Sequence, residues 1–431
     1  MQLTDWLAHQ EAQHPKAIEL GLERVRAVAL RLGLLPWPIP SVIVGGTNGK
    51  GSTVAFLTAL ARESGLKVGT YTSPHLQRYN ERVEIDGQPV ADAPLIRAFE
   101  RIEAARGDIS LTFFEYGTLA AFLVFAEQAV DAAVIEVGLG GRLDATNIID
   151  ADVAVLCSVG LDHQDWLGPT VEDIGREKSG IFRAGRPVIL GSANMPNSVG
   201  EATQRLGAIV QALDRDFHVV TDDTASWSWQ AMQRTHGPLP PPSLLGPMQR
   251  RNAAVAIAAF LQWLRVRPEL ASRLPNRDAD TGLLAAALQR AQLRGRVQRV
   301  APRGPTDPEW ILDVAHNEDS SRVLAEALAS LPSARRTLGV VGILADKDAD
   351  MIGRHLAPVI DQWVLCALDG PRGCSAEELR RRLPRQCRSV ALAPDVPHGC
   401  ATARALAGAG DRIVVFGSFH VVGPALDWLG L

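Results

Sequence analysis

The chain has 431 residues, 46% of them apolar, enough to bury more than one core and to form two or three domains. Acidic residues exceed basic ones by 48 − 44 = 4, which excludes a polycationic nucleic-acid surface and requires any anion site to be built locally. The five cysteines, Cys157, Cys366, Cys374, Cys387 and Cys400, are odd in number and lack CxxC spacing, which argues against a disulfide framework or structural zinc and for a reducing compartment.

No basic region leads into an apolar stretch at Met1-Gln-Leu-Thr-Asp5, so no secretory leader is expected. No uncharged run reaches membrane-spanning length, and a soluble cytoplasmic protein is the expectation. The apolar run Val42–Val44 reads as a buried strand, followed by Gly45-Gly-Thr-Asn-Gly-Lys-Gly-Ser52 and a helix over 52–64 that stops at Gly65. A glycine-rich loop between a buried strand and a helix N-terminus binds phosphate, because free N–H groups and the positive helix end point at the anion. Thr47, Asn48, Gly49, Lys50, Gly51 and Ser52 are therefore nucleotide-contact candidates. Lys50 would reach the outer phosphates, and the Ser52 hydroxyl would hold Mg²⁺. Gly51 separates Lys50 from Ser52, a departure from the usual pattern in which Ser or Thr follows Lys directly.

Further strands are expected at Lys67–Thr72, Ala132–Val137, Val153–Val159 and Pro187–Leu190, with a helix over Leu119–Gln128. Thr170-Val-Glu-Asp173 has the form of a capping box and predicts a helix from about 171 to 179; Lys178 would lie late in a helix beginning near His163. The alternation gives a doubly wound α/β domain with ligand sites at the carboxyl ends of its strands. Between 219 and 247 the rhythm breaks into a hairpin or loop insertion, in which Trp227 and Trp229 read as packing residues. After a helix near 250–265, strands are expected at Trp310–Val314, Leu338–Ile343, Trp363–Ala367 and Arg412–Phe416, and Ser375 caps an intervening helix. These form a second, smaller Rossmann-like domain; the predicted division is 1–290 and 291–431, with the nucleotide between the two.

Ser73, Glu136 and His163 each end or follow a strand and fall on the ligand edge of the first sheet. Glu136 stands among apolar residues, and ligation of Mg²⁺, which prefers hard oxygens, is one reason for a carboxylate there; capping a loop is the plainer alternative. Arg142 could clamp a substrate carboxylate, and Asp144 could accept from the amino group of a heterocycle. By itself, Lys178 reads as a solvated lysine favourably placed at a helix C-terminus. Asp313-Val-Ala-His-Asn317, Asp346-Lys-Asp348 and Ser418-Phe-His420 are polar clusters at strand ends of the second domain, and Arg296 sits at the junction.

The ordered set Gly46-Thr-Asn-Gly-Lys-Gly-Ser52, Thr72-Ser-Pro-His-Leu76, Glu136-Val-Gly-Leu-Gly-Gly-Arg-Leu-Asp-Ala-Thr-Asn147, Asp162-His163, Glu177-Lys-Ser-Gly-Ile181 and Asp313-Val-Ala-His-Asn317 resembles the folylpolyglutamate synthases. The likeness is to their bacterial bifunctional form, the dihydrofolate synthase/folylpolyglutamate synthases of the Mur ligase superfamily, and it spans nearly the whole chain. It implies a Mur-ligase central domain, a C-terminal glutamate-ligase domain, and glutamate ligation to dihydropteroate and reduced folates through an acyl phosphate made from ATP. By the same resemblance, Gly49, Lys50 and Ser52 match the phosphate loop, and Ser73, Glu136 and His163 the magnesium ligands. Lys178 matches a lysine that is carbamylated and serves a second Mg²⁺; burial that keeps its amine neutral would help. Asn252, Arg296 and Asp313 match nucleotide contacts, and His316 the residue against the adenine. Leu20, Thr112, Phe114 and Asp144 match the pterin end, the segments Ile18–Arg24 and Leu111–Gly117 being those that resemble the bifunctional enzymes. Gln249-Arg-Arg251 before Asn252 and Ser179 in place of alanine depart from the family pattern.

Three alternatives compete with the bifunctional reading: a tail-extending folylpolyglutamate synthase alone, a Mur-type peptidoglycan ligase, and an ATP-driven switch. The second is disfavoured because the phosphate loop begins at residue 45 with no nucleotide-sugar domain before it. The third is disfavoured because a switch needs no Glu136, His163 and Lys178. A monomer is expected, with small-molecule partners and neither nucleic acid nor membrane.

Overall fold

The computed structural model describes residues 1–14, 19–221, 225–232, 234–274 and 279–431. The chain divides into two compact units: one holds 1–75, 79–243 and 250–292, the other 76–78, 244–249 and 293–431.

Helices α1 (Leu3–Gln13) and α2 (Glu23–Arg31) precede an eight-stranded sheet. Its strands are β1 (Ser41–Gly45), β2 (Val68–Tyr71), β3 (Val83–Ile85), β4 (Gln88–Pro89), β5 (Ala132–Glu136), β6 (Val153–Leu156), β7 (Pro187–Leu190) and β8 (Ile209–Ala212). Their spatial order is β4-β3-β2-β5-β1-β6-β7-β8. All pairings are parallel except those of β3 and β4, an antiparallel edge. β1 lies between β5 and β6, so the chain leaves it at the point where strand order reverses, and a crevice opens there outside the carboxyl ends. Val42, Ile43 and Val44 are covered on both faces, which explains why the run is uninterruptedly apolar.

The helices between and after these strands are α3 (Lys50–Glu63), α4 (Asp92–Arg106), α5 (Phe113–Glu127), α6 (Gln164–Leu167), α7 (Val171–Lys178), α8 (Asn197–Arg205), α9 (Gln249–Val266), α10 (Pro268–Ala271) and α11 (Thr281–Arg290). α5 starts six residues before the predicted Leu119. A capping box explains it: Thr112 Oγ1 accepts from Glu115 N at 3.2 Å, and Glu115 Oε2 accepts from Thr112 N at 2.8 Å. β6 ends at Leu156 rather than Val159, because Ser158 turns its backbone to the phosphate loop instead of to a neighbouring strand. The helix expected to run from His163 to Lys178 is two helices, broken at Gly168 (φ +102°) and Pro169.

The insertion is a three-stranded antiparallel sheet of β9 (His218–Thr221), β10 (Trp227–Ala231) and β11 (Arg234–Leu239). Both tryptophans of β10 are buried; Trp227 Nε1 donates to Pro240 O at 2.9 Å and Trp229 Nε1 to Ala254 O at 3.1 Å. They are packing residues, as their alternation with serines suggests.

The second unit carries a six-stranded sheet: β12 (Gln298–Val300), β13 (Glu309–Asp313), β14 (Thr337–Val341), β15 (Gln362–Cys366), β16 (Ser389–Ala393) and β17 (Arg412–Phe416), in the order β12-β13-β17-β14-β15-β16. Only β12 is antiparallel. The four predicted strands are its centre; β12 and β16 are edge strands. Helices α12 (Glu318–Ser330), α13 (Ala349–Leu356), α14 (Ala376–Arg382), α15 (Val396–Leu406) and α16 (Phe419–Leu429) complete it. Ser375 Oγ accepts from Glu378 N at 3.1 Å and so caps α14.

One buried carboxylate ties the first sheet to α9 and the residue after it. Asp152, 6% exposed, accepts from Ser41 N at 2.9 Å, Trp263 Nε1 at 3.3 Å and Arg267 Nη2 at 2.6 Å. Asp152→Ala strands these donors, so the expected loss of unfolding free energy is about 2–4 kcal/mol in urea titration. A loss below roughly 0.5 kcal/mol would show that the carboxylate does not hold β1 and α9 together.

Candidate active site

The loop after β1 needs unusual backbone conformations, and glycine supplies them. Gly49 is left-handed at φ +90° where it starts α3, and a side chain there would meet Asn252 Oδ1 at 3.0 Å. Asn252, on α9, thus lies directly against the loop. The loop is fastened to the segment after β6. Thr47 N donates to Ser158 O at 2.9 Å, and Gly160 N donates to Thr47 Oγ1 at 3.0 Å. Asn48 N donates to Ser158 Oγ, which donates in turn to Asn48 O, both at 2.9 Å. Ser158 therefore sets the shape of the phosphate loop, and sequence reasoning passed over it. Its one sequence signal is its place immediately beyond a strand end.

Two lysines converge on this loop. Lys50 Nζ donates to Gly46 O at 3.0 Å and to Thr47 O at 3.3 Å; Lys178 Nζ donates to the same Gly46 O at 3.2 Å. Lys178 is only 4% exposed, so the reading of it as a solvated helix-end lysine is overturned. Burial first, and the Lys50 charge second, bring its pKa down to about 7; Asp162, Asp144 and Cys157 act in the opposite direction. The balance is decided by magnitude. Burying an ammonium costs several kcal/mol, whereas one hydrogen bond to a charged donor returns about 1.5–3 kcal/mol. Glu136 ends β5, 6% exposed, and Ser73 N donates to its Oε2 at 3.4 Å. Ser52 lies in the first turn of α3 and is buried. Lys50, Glu136 and Lys178 all act electrostatically on the Cys157 thiol, which burial pushes up to about 11. These groups form one cluster at the crevice.

His163 is the first residue of α6's turn, in a left-handed conformation (φ +52°), with its side chain about a third exposed. Its Nε2 is 3.9 Å from Asp162 Oδ2. Ser52, Ser73 and Glu136 offer hard oxygens at the carboxyl edge of the sheet, a donor chemistry that fits Mg²⁺, and His163 follows β6 on the same edge. Among the described residues no three His, Cys, Asp or Glu side chains form a group that could hold a metal, so an ion here would need oxygens from other donors, such as phosphate and water.

A second constellation surrounds the loop after β5. Gly141 lies so close to α7 that a side chain would meet Glu177 O at 2.9 Å and Lys178 O at 2.8 Å. Arg142 Nη2 donates to Glu177 Oε1 at 2.8 Å on the surface. Asn147 Nδ2 donates to both Arg142 O and Gly180 O, and Arg183 donates to Asn147 in turn. Asn147 and Arg183 are further positioning residues that sequence reasoning did not isolate. Asp144, 2% exposed, accepts from Leu139 N at 2.8 Å and Thr146 N at 3.0 Å. Its carboxylate therefore shapes the loop, and a heterocycle amino group would share those oxygens. Burial pushes the Asp144 pKa up. Phe114 packs on Gly138, and Gly21 N reaches Leu143 O at 3.4 Å, which brings half-exposed Leu20 to the same loop. Thr112 is buried and uses its hydroxyl as the cap of α5. Ile18 lies outside the described residues.

Arg296, Asp313 and His316 belong to the second unit. Asp313 Oδ2 accepts from Val297 N at 2.8 Å and Oδ1 from Ala315 N at 2.7 Å; burial raises its pKa against the Arg296 charge. Arg296 lies over the Phe419 ring at 5.8 Å. His316 Nδ1 donates to Val314 O at 2.8 Å.

Comparison with known proteins bears on this arrangement. Residues 44–206 match the Mur ligase middle domain and residues 295–419 the Mur ligase glutamate ligase domain. The chain is 42% identical to the dihydrofolate synthase/folylpolyglutamate synthase of Escherichia coli K12, over 99% of this chain and 95% of that one. The chain belongs to the dihydrofolate synthase/folylpolyglutamate synthase family. The Haemophilus influenzae member is 38% identical over 97% of this chain and 96% of its own. Among solved structures, E. coli FolC in complex with DHPP and ADP superposes with a TM-score of 0.90 at 42% identity, covering 100% of this chain and 98% of that one. A bifunctional folylpolyglutamate synthase/dihydrofolate synthase with Mn, AMPPNP and L-glutamate bound gives a TM-score of 0.87 at 41% identity, with coverage of 100% and 98%. Membership in this family agrees with a mixed α/β fold built on two large, mostly parallel sheets and with ATP-dependent ligase chemistry.

The lysine pKa predicts a stability change with a definite sign. Between pH 10.5 and about 7 the unfolded chain takes up a proton that buried Lys178 refuses. The native state therefore loses stability as pH falls through that window, and the full penalty is present below about 7. In bicarbonate-free buffer, Lys178→Met should raise the thermal midpoint at pH 6.5, and the gain should shrink by pH 9.5. An equal gain at both pH values would mean that Lys178 is not held neutral.

Proposed function

We propose that the chain joins L-glutamate to dihydropteroate, giving dihydrofolate, and adds further glutamates to reduced folates, at the expense of ATP. The observation that carries this reading is the convergence of Lys50, Ser52, Glu136 and Lys178 on one phosphate-binding loop, in a chain that matches bifunctional enzymes from end to end. Residues 1–290 would bind and activate, and 291–431 would form the glutamate-ligase domain. No helix among the described residues is long and apolar enough to cross a membrane, and the five cysteines are free. We assign the protein to the cytoplasm, as a monomer acting on small molecules.

A substrate carboxylate oxygen attacks the γ-phosphorus of ATP, and ADP leaves. The glutamate amine then attacks the acyl carbon; the tetrahedral adduct loses phosphate and the nitrogen loses a proton, leaving an amide. Lys50 supplies positive charge to the transferring phosphoryl group once it leaves the carbonyls of Gly46 and Thr47. The N–H groups of Thr47 to Ser52 and the N-terminus of α3 would cradle the phosphates, with Asn252 against the same loop. Two Mg²⁺, when bound, neutralise phosphate charge and polarise the phosphoryl oxygens. Ser52, Ser73, Glu136 and His163 would hold them, together with a carbamate on Lys178. The neutral amine favoured by burial supports that carbamate, because only an unprotonated nitrogen adds to CO₂. Arg142 would exchange its surface partner Glu177 for a substrate carboxylate, since such exposed pairs are worth at most about 1 kcal/mol. Leu20, Thr112, Phe114 and Asp144 would receive the pterin.

The decisive assay is ADP release with Mg-ATP and L-glutamate, with and without dihydropteroate, followed by mass analysis. Dihydropteroate-dependent release with dihydrofolate as product is expected, and tetrahydrofolate should yield polyglutamates. Turnover with tetrahydrofolate alone would reduce the protein to a tail-extending enzyme; turnover with neither would sink the reading. Lys50→Ala should lower the rate at least a hundredfold with an unchanged circular dichroism spectrum. Lys178→Ala should be inactive and regain part of its rate with short carboxylic acids. Full activity without them would rule out a working carbamate.

A further inference from the structure

The segment between the phosphate loop and α7 carries apolar side chains in an unexpected place. Leu161 is 55% exposed and Trp166 46%. Both stand on backbone that is fixed. Gly160, immediately before Leu161, exchanges hydrogen bonds with Thr47 of the phosphate loop. Asp162 is close enough to Lys178 to act on its charge. The N–H groups of Trp166 and Leu167 donate to His163 O at 2.9 and 3.0 Å, and the Leu167 side chain is buried beside Gly140. The Trp166 N–H bond to His163 O puts Trp166 one turn beyond His163, which opens that turn in a left-handed conformation. A half-exposed indole is thereby carried on the short turn that a metal-ligand candidate opens, beyond the carboxyl end of β6.

We propose that Leu161 and Trp166 form the apolar face that receives the aryl ring of dihydropteroate beside its reacting carboxylate, and so set the preference between the two acyl substrates. This rests on the ligase reading above. The chemistry of the substrates supplies the asymmetry. In dihydropteroate the carboxylate is bonded directly to a benzene ring, so phosphorylation forces that ring to within a few ångströms of the phosphate edge. In a reduced folate the reacting carboxylate ends a flexible aliphatic side chain, and the aryl ring lies several bonds away. An indole next to the phosphoryl edge therefore stacks on the first substrate at the reacting end and not on the second.

The test is steady-state kinetics of Trp166→Ala and Trp166→Phe with each substrate. Trp166→Ala should lower kcat/KM for dihydropteroate about tenfold, mostly through KM, the size expected for losing one aromatic pair. The value for tetrahydrofolate should stay within about twofold, and Trp166→Phe should recover most of the loss. Leu161→Ser should move the same ratio in the same direction. Equal losses on both substrates would assign Trp166 to support of the metal edge, and no loss on either would leave it without contact; each outcome overturns the proposal. A wild-type protein that turns over neither substrate overturns the ligase reading itself and this proposal with it.

Discussion

The carbonyl oxygen of Gly46 accepts from two lysines, and much of the site follows from that sharing. Two ammonium groups on one acceptor repel each other, and one of them is almost wholly buried. The conflict is relieved if the buried one is neutral, which is the direction in which desolvation already drives it. Lys50, half-buried at the helix N-terminus, stands where phosphate would be met. One loop therefore carries two lysines in different environments, and burial loosens the proton of only one of them.

The sheet makes this arrangement possible. Because β5, β1 and β6 are adjacent and parallel, the chain departs from three neighbouring carboxyl ends into the same space. Glu136, Lys50 and the 157–163 segment meet there without long-range loops. Lys178 arrives differently: α7 runs back from Thr170, and the close contact of Gly141 with the carbonyls of Glu177 and Lys178 fixes its last turn. A side chain larger than hydrogen at 141 would push that turn away, so the glycine sets where the amine is delivered.

Strand-to-loop polarity was readable from letters alone, because buried parallel strands are continuous apolar runs and the residues that follow them are polar. That logic located the phosphate loop, the strand end at Glu136 and the central strands along the chain. It failed where tertiary contact overrides local pattern. Lys178 looks like a surface lysine because nothing in Arg176-Glu177-Lys178 encodes the loop that covers it. Ser158 looks like a turn residue because its partners, Asn48 and Thr47, are over a hundred positions away. The start of α5 was legible in principle from Thr112 and Glu115, but the apolar stretch from Leu119 outweighed it. Edge strands such as β12 and β16 are short or half-covered and lack the apolar run that marks the centre. Nor does spacing between residues predict that Asp144 would spend its oxygens on its own loop.

The same lysine contact bears on how phosphate engages the loop. Lys50 donates to the carbonyls of Gly46 and Thr47, and hydrogen bonds with a charged donor are worth about 1.5–3 kcal/mol each. A phosphate has to offer stronger charge-assisted bonds to draw the lysine towards it, and its oxygens are also the hard donors that a divalent cation prefers. Under the ligase reading the loop meets only the triphosphate. The difference between the two acyl substrates then falls to side chains beyond the loop, and one phosphoryl-transfer centre would serve both carboxylates.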